Sequence, residues 1–133
     1  MSGSVHHIEL WVPDFAAARP RWHWLLTGLG WVDHQDWPGG HSWKAADDSY
    51  LVIEESPDLT AQTHDRTRPG LNHLAFWAGS RSTVDDLARQ APDHGWQLLF
   101  GDSHPYAGGP AHYAAFLADT EGYEVEIVAK EAG

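Results

Sequence analysis

Cysteine is absent from this sequence of 133 residues. Disulfide frameworks, thiolate metal sites and cysteine nucleophiles are therefore excluded. No apolar run approaches the ~20 residues that a membrane span requires, and no basic segment followed by an apolar one marks a signal peptide. No P-loop, GxGxxG motif or Ser-His-Asp order is present. We therefore expect a cytoplasmic protein with no membrane partner.

Basic residues are scarce, since 8 Lys and Arg stand against 19 Asp and Glu, for a net charge of −11. Phosphate backbones and anionic lipids repel such a surface, so we expect no nucleic-acid partner. The charge serves either solubility or the attraction of a cationic ligand. Hydrophobic residues make up 42% of the chain, which is enough for one globular domain.

The first half of the chain has the pattern of one helix and four strands. In the segment HIELWV, apolar residues alternate with His7, Glu9 and Trp11, and this period of two indicates a strand. A helix is indicated next, because Trp22, Leu25, Leu26 and Leu29 recur at the spacing i, i+3, i+4, i+7. We place that helix from about Arg19, because a proline such as Pro20 is tolerated in a first turn and breaks a helix interior. Further strands are predicted at residues 31–36, 42–46 and 50–55.

The second half repeats this order. A strand at residues 71–78 has His73 and Trp77 on its non-apolar face. A helix is predicted from about Ser82, because Ser82 and Asp85 form a capping-box pattern. Further strands are predicted at residues 96–100, 112–118 and 123–129, with a loop at 101–110.

The repeat predicts an α+β fold in a single domain, residues 1–133. Two βαβββ modules, at about 5–55 and 70–129, are joined by the linker 56–69. One small curled sheet cannot bury both of its faces, so each module needs another. The paired, curled mixed sheets are expected to surround a metal-binding cavity.

Four potential metal ligands occupy matching places in the two modules. His7 and His73 lie in the first predicted strands, and Glu54 and Glu126 lie in the last. Two imidazoles and two carboxylates suit zinc, nickel, cobalt, manganese or iron(II). A single strand histidine is usually structural or exposed, so the joint placement of the four residues carries the prediction of one divalent metal per site.

Five further residues are candidates for contact with a small-molecule substrate. Trp11 and Trp77 form an aromatic wall or simply fill the cavity, and Glu9 faces the substrate or the solvent. His104 and Tyr106 lie in the glycine-rich loop 101–110, which is either a mobile lid or an ordinary surface loop.

Three segments resemble the vicinal oxygen chelate superfamily, which includes glyoxalase I, extradiol dioxygenases and bleomycin-binding proteins. They are HIELWVPD, GLNHLAF and DTEGYEVEIV. The resemblance implies that His7, His73 and Glu126 are the metal ligands shared by metal-dependent members, and that Glu54 is the fourth ligand of glyoxalase I. Trp11 stands where glyoxalase I enzymes usually have an arginine that helps bind glutathione. The resemblance therefore implies a different substrate.

The resemblance leaves three functions open. The first is a metal-dependent lyase or isomerase of glyoxalase type, in which the metal stabilises an enediolate and Glu126 or Glu54 is the general base. The second is an iron-dependent extradiol-type dioxygenase. The third is a non-enzymatic protein that binds a cationic antibiotic, as bleomycin resistance proteins do.

The resemblance also implies a homodimer. In glyoxalase-like relatives each cavity takes residues from two chains, so we expect a symmetric dimer with two sites. His7 and Glu54 would come from one chain, and His73 and Glu126 from its partner. The alternative is a monomer whose own modules close a single cavity.

Overall fold

The computed structural model of the chain describes residues 2–130. Backbone contacts divide the chain into two compact units, Met1–Thr63 and His64–Gly133. The boundary falls inside the predicted linker 56–69. Each unit contains one four-stranded mixed sheet and has the order βαβββ. The predicted α+β class and repeat are therefore confirmed.

The first unit consists of β1 (His7–Trp11), α1 (Phe15–Gly28), β2 (Val32–Trp37), β3 (Gly40–Lys44) and β4 (Tyr50–Glu54). Its sheet has the strand order β1-β4-β3-β2, in which β1 runs parallel to β4 and the other neighbours are antiparallel. Helix α1 packs against β3 and β4. Its contact face buries Ala18, Trp22, Leu25 and Leu26 completely.

The predicted start of α1 at about Arg19 is wrong. The helix begins at Phe15 and includes Pro20 in its interior. Asp14 is the N-cap, because its side chain accepts a hydrogen bond from the Ala17 amide at 3.1 Å. This cap and the buried face offset the backbone hydrogen bond that Pro20 cannot donate.

A bulge in β2 lies opposite a buried histidine of β3 that the sequence pattern did not single out. The register of β2 and β3 shifts between Asp33 and Asp36. Both aspartates reach His41, which is 4% exposed, with Oδ1 atoms 2.7 and 2.9 Å from its Nε2 and Nδ1. The bulge thus satisfies both nitrogens of the buried imidazole.

The second unit consists of β5 (Leu74–Gly79), α2 (Arg81–Gln90), a 3₁₀ turn (Ala91–His94), β6 (Gln97–Leu99), β7 (Ala114–Ala118) and β8 (Glu124–Ala129). Its sheet has the order β5-β8-β7-β6, with β5 parallel to β8. Helix α2 contacts β5, β7 and β8. The two sheets thus have matching strand orders, each with one helix packed on it.

Helix α2 does not begin with the predicted capping box at Ser82 and Asp85. It begins at Arg81, and its N-cap is Ser80, whose hydroxyl accepts from the Thr83 amide at 3.1 Å. Two serines compete for the cap in this sequence. Ser80 takes that role because its backbone is extended, as a cap requires.

Strand β5 begins at Leu74, so His73 precedes the strand in which it was predicted. The carbonyl of Leu71 lies 2.8 Å from His64 Nε2, and the Asn72 side chain donates to the Arg66 carbonyl at 3.1 Å. These contacts tie residues 71 and 72 to the preceding turn instead of to a neighbouring strand.

Candidate functional site

His73 and Glu126 come together at one end of the second sheet. Glu126 lies on β8 beside Ala75 of β5 and Phe116 of β7. Its side chain is 10% exposed, and its Oε1 lies 3.2 Å from His73 Nε2. A buried carboxylate requires compensating donors or cations. This pair is therefore the half of the predicted ligand set that the structure brings into contact.

The ring of His73 is oriented by its neighbour. Nδ1 of His73 lies 2.7 Å from Asn72 Oδ1, and because that oxygen only accepts, Nδ1–H is the donor. The other ring nitrogen, Nε2, is the one that faces Glu126. Metal-binding histidines commonly have their second ring nitrogen fixed by such a hydrogen bond.

A second buried carboxylate adds negative charge beside His73. Glu124 is 5% exposed, and its Oε2 lies 3.7 Å from His73 Nδ1. Arg66 Nε lies 3.9 Å from its other oxygen, and that oxygen has no hydrogen-bond partner among residues 2–130. Two buried carboxylates therefore flank one imidazole, a charge arrangement that a divalent cation would balance.

His112 is the site residue that sequence reasoning missed. Its Nε2 forms a hydrogen bond with Glu126 Oε2, so the two oxygens of Glu126 face two different histidines. The predicted strand 112–118 contained His112 but gave it no role. Only the register of β7 against β8, which pairs Phe116 with Glu126, brings this segment close, and a single sequence does not reveal register.

The segment that carries His112 is anchored on both sides. The next residue, Tyr113, donates its hydroxyl to Asp85 Oδ1 of α2 at 2.5 Å. That hydrogen bond is the main cause that raises the pKa of Tyr113 to about 12, so the phenol remains a donor at ordinary pH. The backbone amide of His112 donates to the Gly109 carbonyl at 3.1 Å.

An open pocket of about 340 Å³ adjoins this cluster in the second unit. It is lined by Ala75, Phe76, Trp77, His112, Glu126 and Val128. Trp77 is 64% exposed, and Lys130 Nζ lies 5.1 Å from the centre of its ring. The predicted wall residue Trp77 and the predicted ligand Glu126 therefore line the same pocket.

The structure does not bring His7 and Glu54 into contact within the first unit. On the parallel strands β1 and β4, His7 lies beside Tyr50 and Glu54 lies beside Trp11. Four residues of strand at about 3.3 Å each separate the two positions by about 13 Å. The ring of His7 stacks on Tyr50 at 4.8 Å. Glu54 Oε1 accepts from Trp37 Nε1 at 3.3 Å.

Glu9 and Trp11 form a hydrogen-bonded pair on β1. The indole Nε1 of Trp11 donates to Glu9 Oε2 at 2.7 Å. Trp11 is 38% exposed. By strand alternation both residues share a face with His7, as the sequence predicted. Their contact with substrate remains a prediction.

His104 and Tyr106 lie in the loop before β7. The ring of Tyr106 meets that of Tyr113 edge-on, with centres 5.6 Å apart, and Tyr106 is 44% exposed. His104 is partly buried. The carbonyl of Pro105, between them, accepts from the Ala114 amide at 3.0 Å. This contact joins the loop to the first residue of β7.

Within residues 2–130 of one chain, no group of three or more His, Asp or Glu side chains is placed to hold a metal ion. The four-ligand assignment remains a prediction, and the predicted dimer divides those ligands between two chains. None of the helices in the same range has the length and apolar content needed to cross a bilayer.

Comparison with known proteins identifies the family. Residues 6–116 match the Glyoxalase/Bleomycin resistance protein/Dioxygenase superfamily. The chain therefore belongs to this superfamily, as the three resembling segments predicted. The chain is also 46% identical over 127 residues to the uncharacterized protein YqjT of Bacillus subtilis (strain 168), a match that covers 94% of this chain and 98% of YqjT.

Solved structures agree with this assignment. A candidate glyoxalase from Bacillus halodurans is 43% identical and superposes with a TM-score of 0.90 over 97% of each chain. FosX, a fosfomycin resistance protein from Listeria monocytogenes solved with Mn(II) and sulfate, is 16% identical, with a TM-score of 0.63 over 98% of this chain and 93% of FosX. Similarity at that level of identity shows a shared fold.

Proposed function

We propose that this protein is a divalent-metal-dependent lyase or isomerase of glyoxalase type, acting on a small substrate that offers adjacent oxygens to the metal. The observation that carries the proposal is the contact between His73 Nε2 and Glu126 Oε1 at 3.2 Å. Superfamily membership and the Mn(II) bound by FosX support a divalent metal in this protein.

The residues present fit a divalent metal. His73 Nε2 and Glu126 Oε1 lie 3.2 Å apart, and an imidazole and a carboxylate this close could both bind one divalent ion. Because Nδ1 is engaged by Asn72, Nε2 is the ring nitrogen that would coordinate the metal. His7 and Glu54 are proposed as the ligands contributed by the other half of the site, on the strength of the family resemblance.

The proposed reaction would use the metal, the carboxylates Glu126 and Glu54, and the pocket. A bound divalent metal would polarise the substrate oxygens and stabilise the negative charge of an enediolate. Glu126 or Glu54 would move the proton between adjacent carbons, because each carboxylate can accept a proton and return it. The pocket beside Glu126 would exclude water from one side of the substrate.

The pocket favours an uncharged substrate over a glutathione conjugate. Its lining residues, within the part of the chain that the structure describes, include no Arg or Lys, the nearby Lys130 being placed over the ring of Trp77. Trp11 stands where glyoxalase I has an arginine that helps bind glutathione. The net charge of −11 opposes anionic substrates further. We therefore expect a small hydroxycarbonyl compound with an apolar portion that lies against Trp77.

Metal analysis tests the proposal. Protein purified without added metal and without a metal-binding tag should contain close to one divalent ion per chain. His73→Ala and Glu126→Ala should each lose most of it, whereas His94→Ala, on the 3₁₀ turn of the same unit, should retain it. Glu54→Gln should have a milder effect, because an amide oxygen can still coordinate. Near-stoichiometric metal in the first two variants would contradict the assignment.

Proton exchange tests the reaction class. Small α-hydroxy ketones incubated with the metal-loaded protein in D₂O should lose the signal of the exchangeable C–H, and Glu126→Gln should abolish that loss. Iron with oxygen-dependent ring cleavage of a catechol would instead indicate the dioxygenase. Tight binding of a cationic antibiotic by metal-free protein, without any turnover, would indicate the binding protein.

A further inference from the structure

We infer that His112 is a positioning residue that holds one oxygen of Glu126, so that the other oxygen alone is presented to His73 and the metal. The inference rests on the proposed metal site. It assigns a role to a residue that none of the three resembling sequence segments contains.

The surroundings of Glu126 make His112 the donor for Oε2. The strand neighbours Ala75 and Phe116 have side chains without hydrogen-bonding atoms. His73 faces Oε1, and His112 Nε2 is hydrogen-bonded to Oε2. Because the Glu126 side chain is only 10% exposed, solvent is a poor substitute for this donor. Without His112 the buried Oε2 would have to find a new partner.

The loop before β7 restricts the position of the His112 ring. A Cβ added at Gly108 would lie 2.5 Å from Cδ2 of the imidazole, so the ring occupies the space that any larger residue at position 108 would need. The amide of His112 is bound to the Gly109 carbonyl, and Tyr113 is tied to Asp85. The imidazole is therefore held in place before any metal binds.

The consequence concerns how Glu126 coordinates. With Oε2 bound to His112, Glu126 offers the metal one oxygen. When His112 is removed, the carboxylate is free to rotate and to offer both. Hydrogen bonds to ligating carboxylates of this kind typically contribute about 10- to 100-fold to metal affinity.

Metal titration of five proteins tests the inference: wild type, His112→Ala, His112→Gln, Gly108→Ala and Gly101→Ala. We expect His112→Ala to weaken Mn(II) binding about 10- to 100-fold. His112→Gln should bind within a few-fold of wild type, because the Gln amide donates a hydrogen bond at a similar reach. Gly108→Ala should weaken binding by displacing the ring. Gly101→Ala is the matched control, since nothing lies within 4 Å of an added Cβ there.

The spectrum of bound Co(II) provides a second readout that a general loss of stability would not produce. Its visible absorption weakens as coordination number rises, so His112→Ala should lower it and His112→Gln should not. Equal affinity and spectra in wild type and His112→Ala would overturn the inference and leave the metal site intact. Equal losses in the Ala and Gln variants would also overturn it. If wild type itself binds neither metal, the proposed function fails together with the inference.

Discussion

Gly122 shows how a single residue secures the end of the second sheet. Its φ is +92°, and an added Cβ would lie 1.9 Å from the backbone oxygen of His64. The ring of His64 stacks on Tyr123 with centres 4.7 Å apart. The backbone amide of His64 donates to the Glu121 carbonyl at 2.8 Å. The glycine in the segment DTEGYEVEIV therefore holds residues 64–71 beside the start of β8.

Replacing Gly122 should be costly for stability. Gly122→Ala adds a strained φ and a clash with backbone that cannot move aside cheaply, so we expect a loss of about 2 kcal/mol or more in the free energy of unfolding. Urea denaturation measures this loss. Gly101→Ala, with open space and an ordinary φ, should stay within about 0.5 kcal/mol of wild type. Equal stabilities of the two variants would contradict this account of Gly122.

At the same scale, the sequence identified His73 and Glu126 but missed His112 as their neighbour. The first two were found because they recur at matching places in a repeat. The position of His112 depends on strand register and on a loop conformation, which the alternation of a single strand does not reveal. His7 and Glu54 were chosen by the same repeat logic, yet the register sets them apart on β1 and β4.

Among the elements, both helices and all eight strands were predicted in their order, because most of them have clear apolar periods, although β2 is largely polar and exposed. Their ends were less predictable, since caps and turns decide them. Asp14 begins α1 four residues earlier than expected, and Ser80 takes the cap expected of Ser82. Contacts of Leu71 and Asn72 with the preceding turn delay β5.

The cost of a proline inside helix α1 can be tested by substitution. Pro20 lies inside the helix and removes the amide that would donate to the Ala16 carbonyl. Pro20→Ala restores this donor, and we expect it to stabilise the protein by about 1–2 kcal/mol after allowance for the freedom that the unfolded chain gains. Thermal unfolding should show a higher Tm than in wild type. Arg19→Ala, on the exposed side of the same helix, should change Tm little. A lower Tm for Pro20→Ala would show that the helix requires its proline.

For the whole molecule, the proposed arrangement is a symmetric homodimer whose sites are shared between chains. His7→Ala and His73→Ala proteins, unfolded together and refolded, would form mixed dimers in about half of the cases by random pairing at a two-fold interface. Each mixed dimer would regain one intact site of two, because both defects fall in the other. Metal binding should then recover to roughly a quarter of wild type.

The control for this experiment is each variant refolded alone, which should recover no metal binding. Mixing is verified by giving one variant a mass tag and observing the intermediate mass of the dimer. Verified mixed dimers without recovered metal would place the ligands within one chain. A monomer at micromolar concentration would contradict the shared-site arrangement outright.

The proposed site requires His73 and Glu126 to hold a common divalent metal. Crystals of the wild-type protein grown with Mn(II) and measured with X-rays at the manganese edge locate that metal. We expect an anomalous peak about 2.0–2.3 Å from both His73 Nε2 and Glu126 Oε1, with His112 still bound to Glu126 Oε2. A peak elsewhere on the molecule, or none at saturating Mn(II) with His73 and Glu126 still in direct contact, would contradict it.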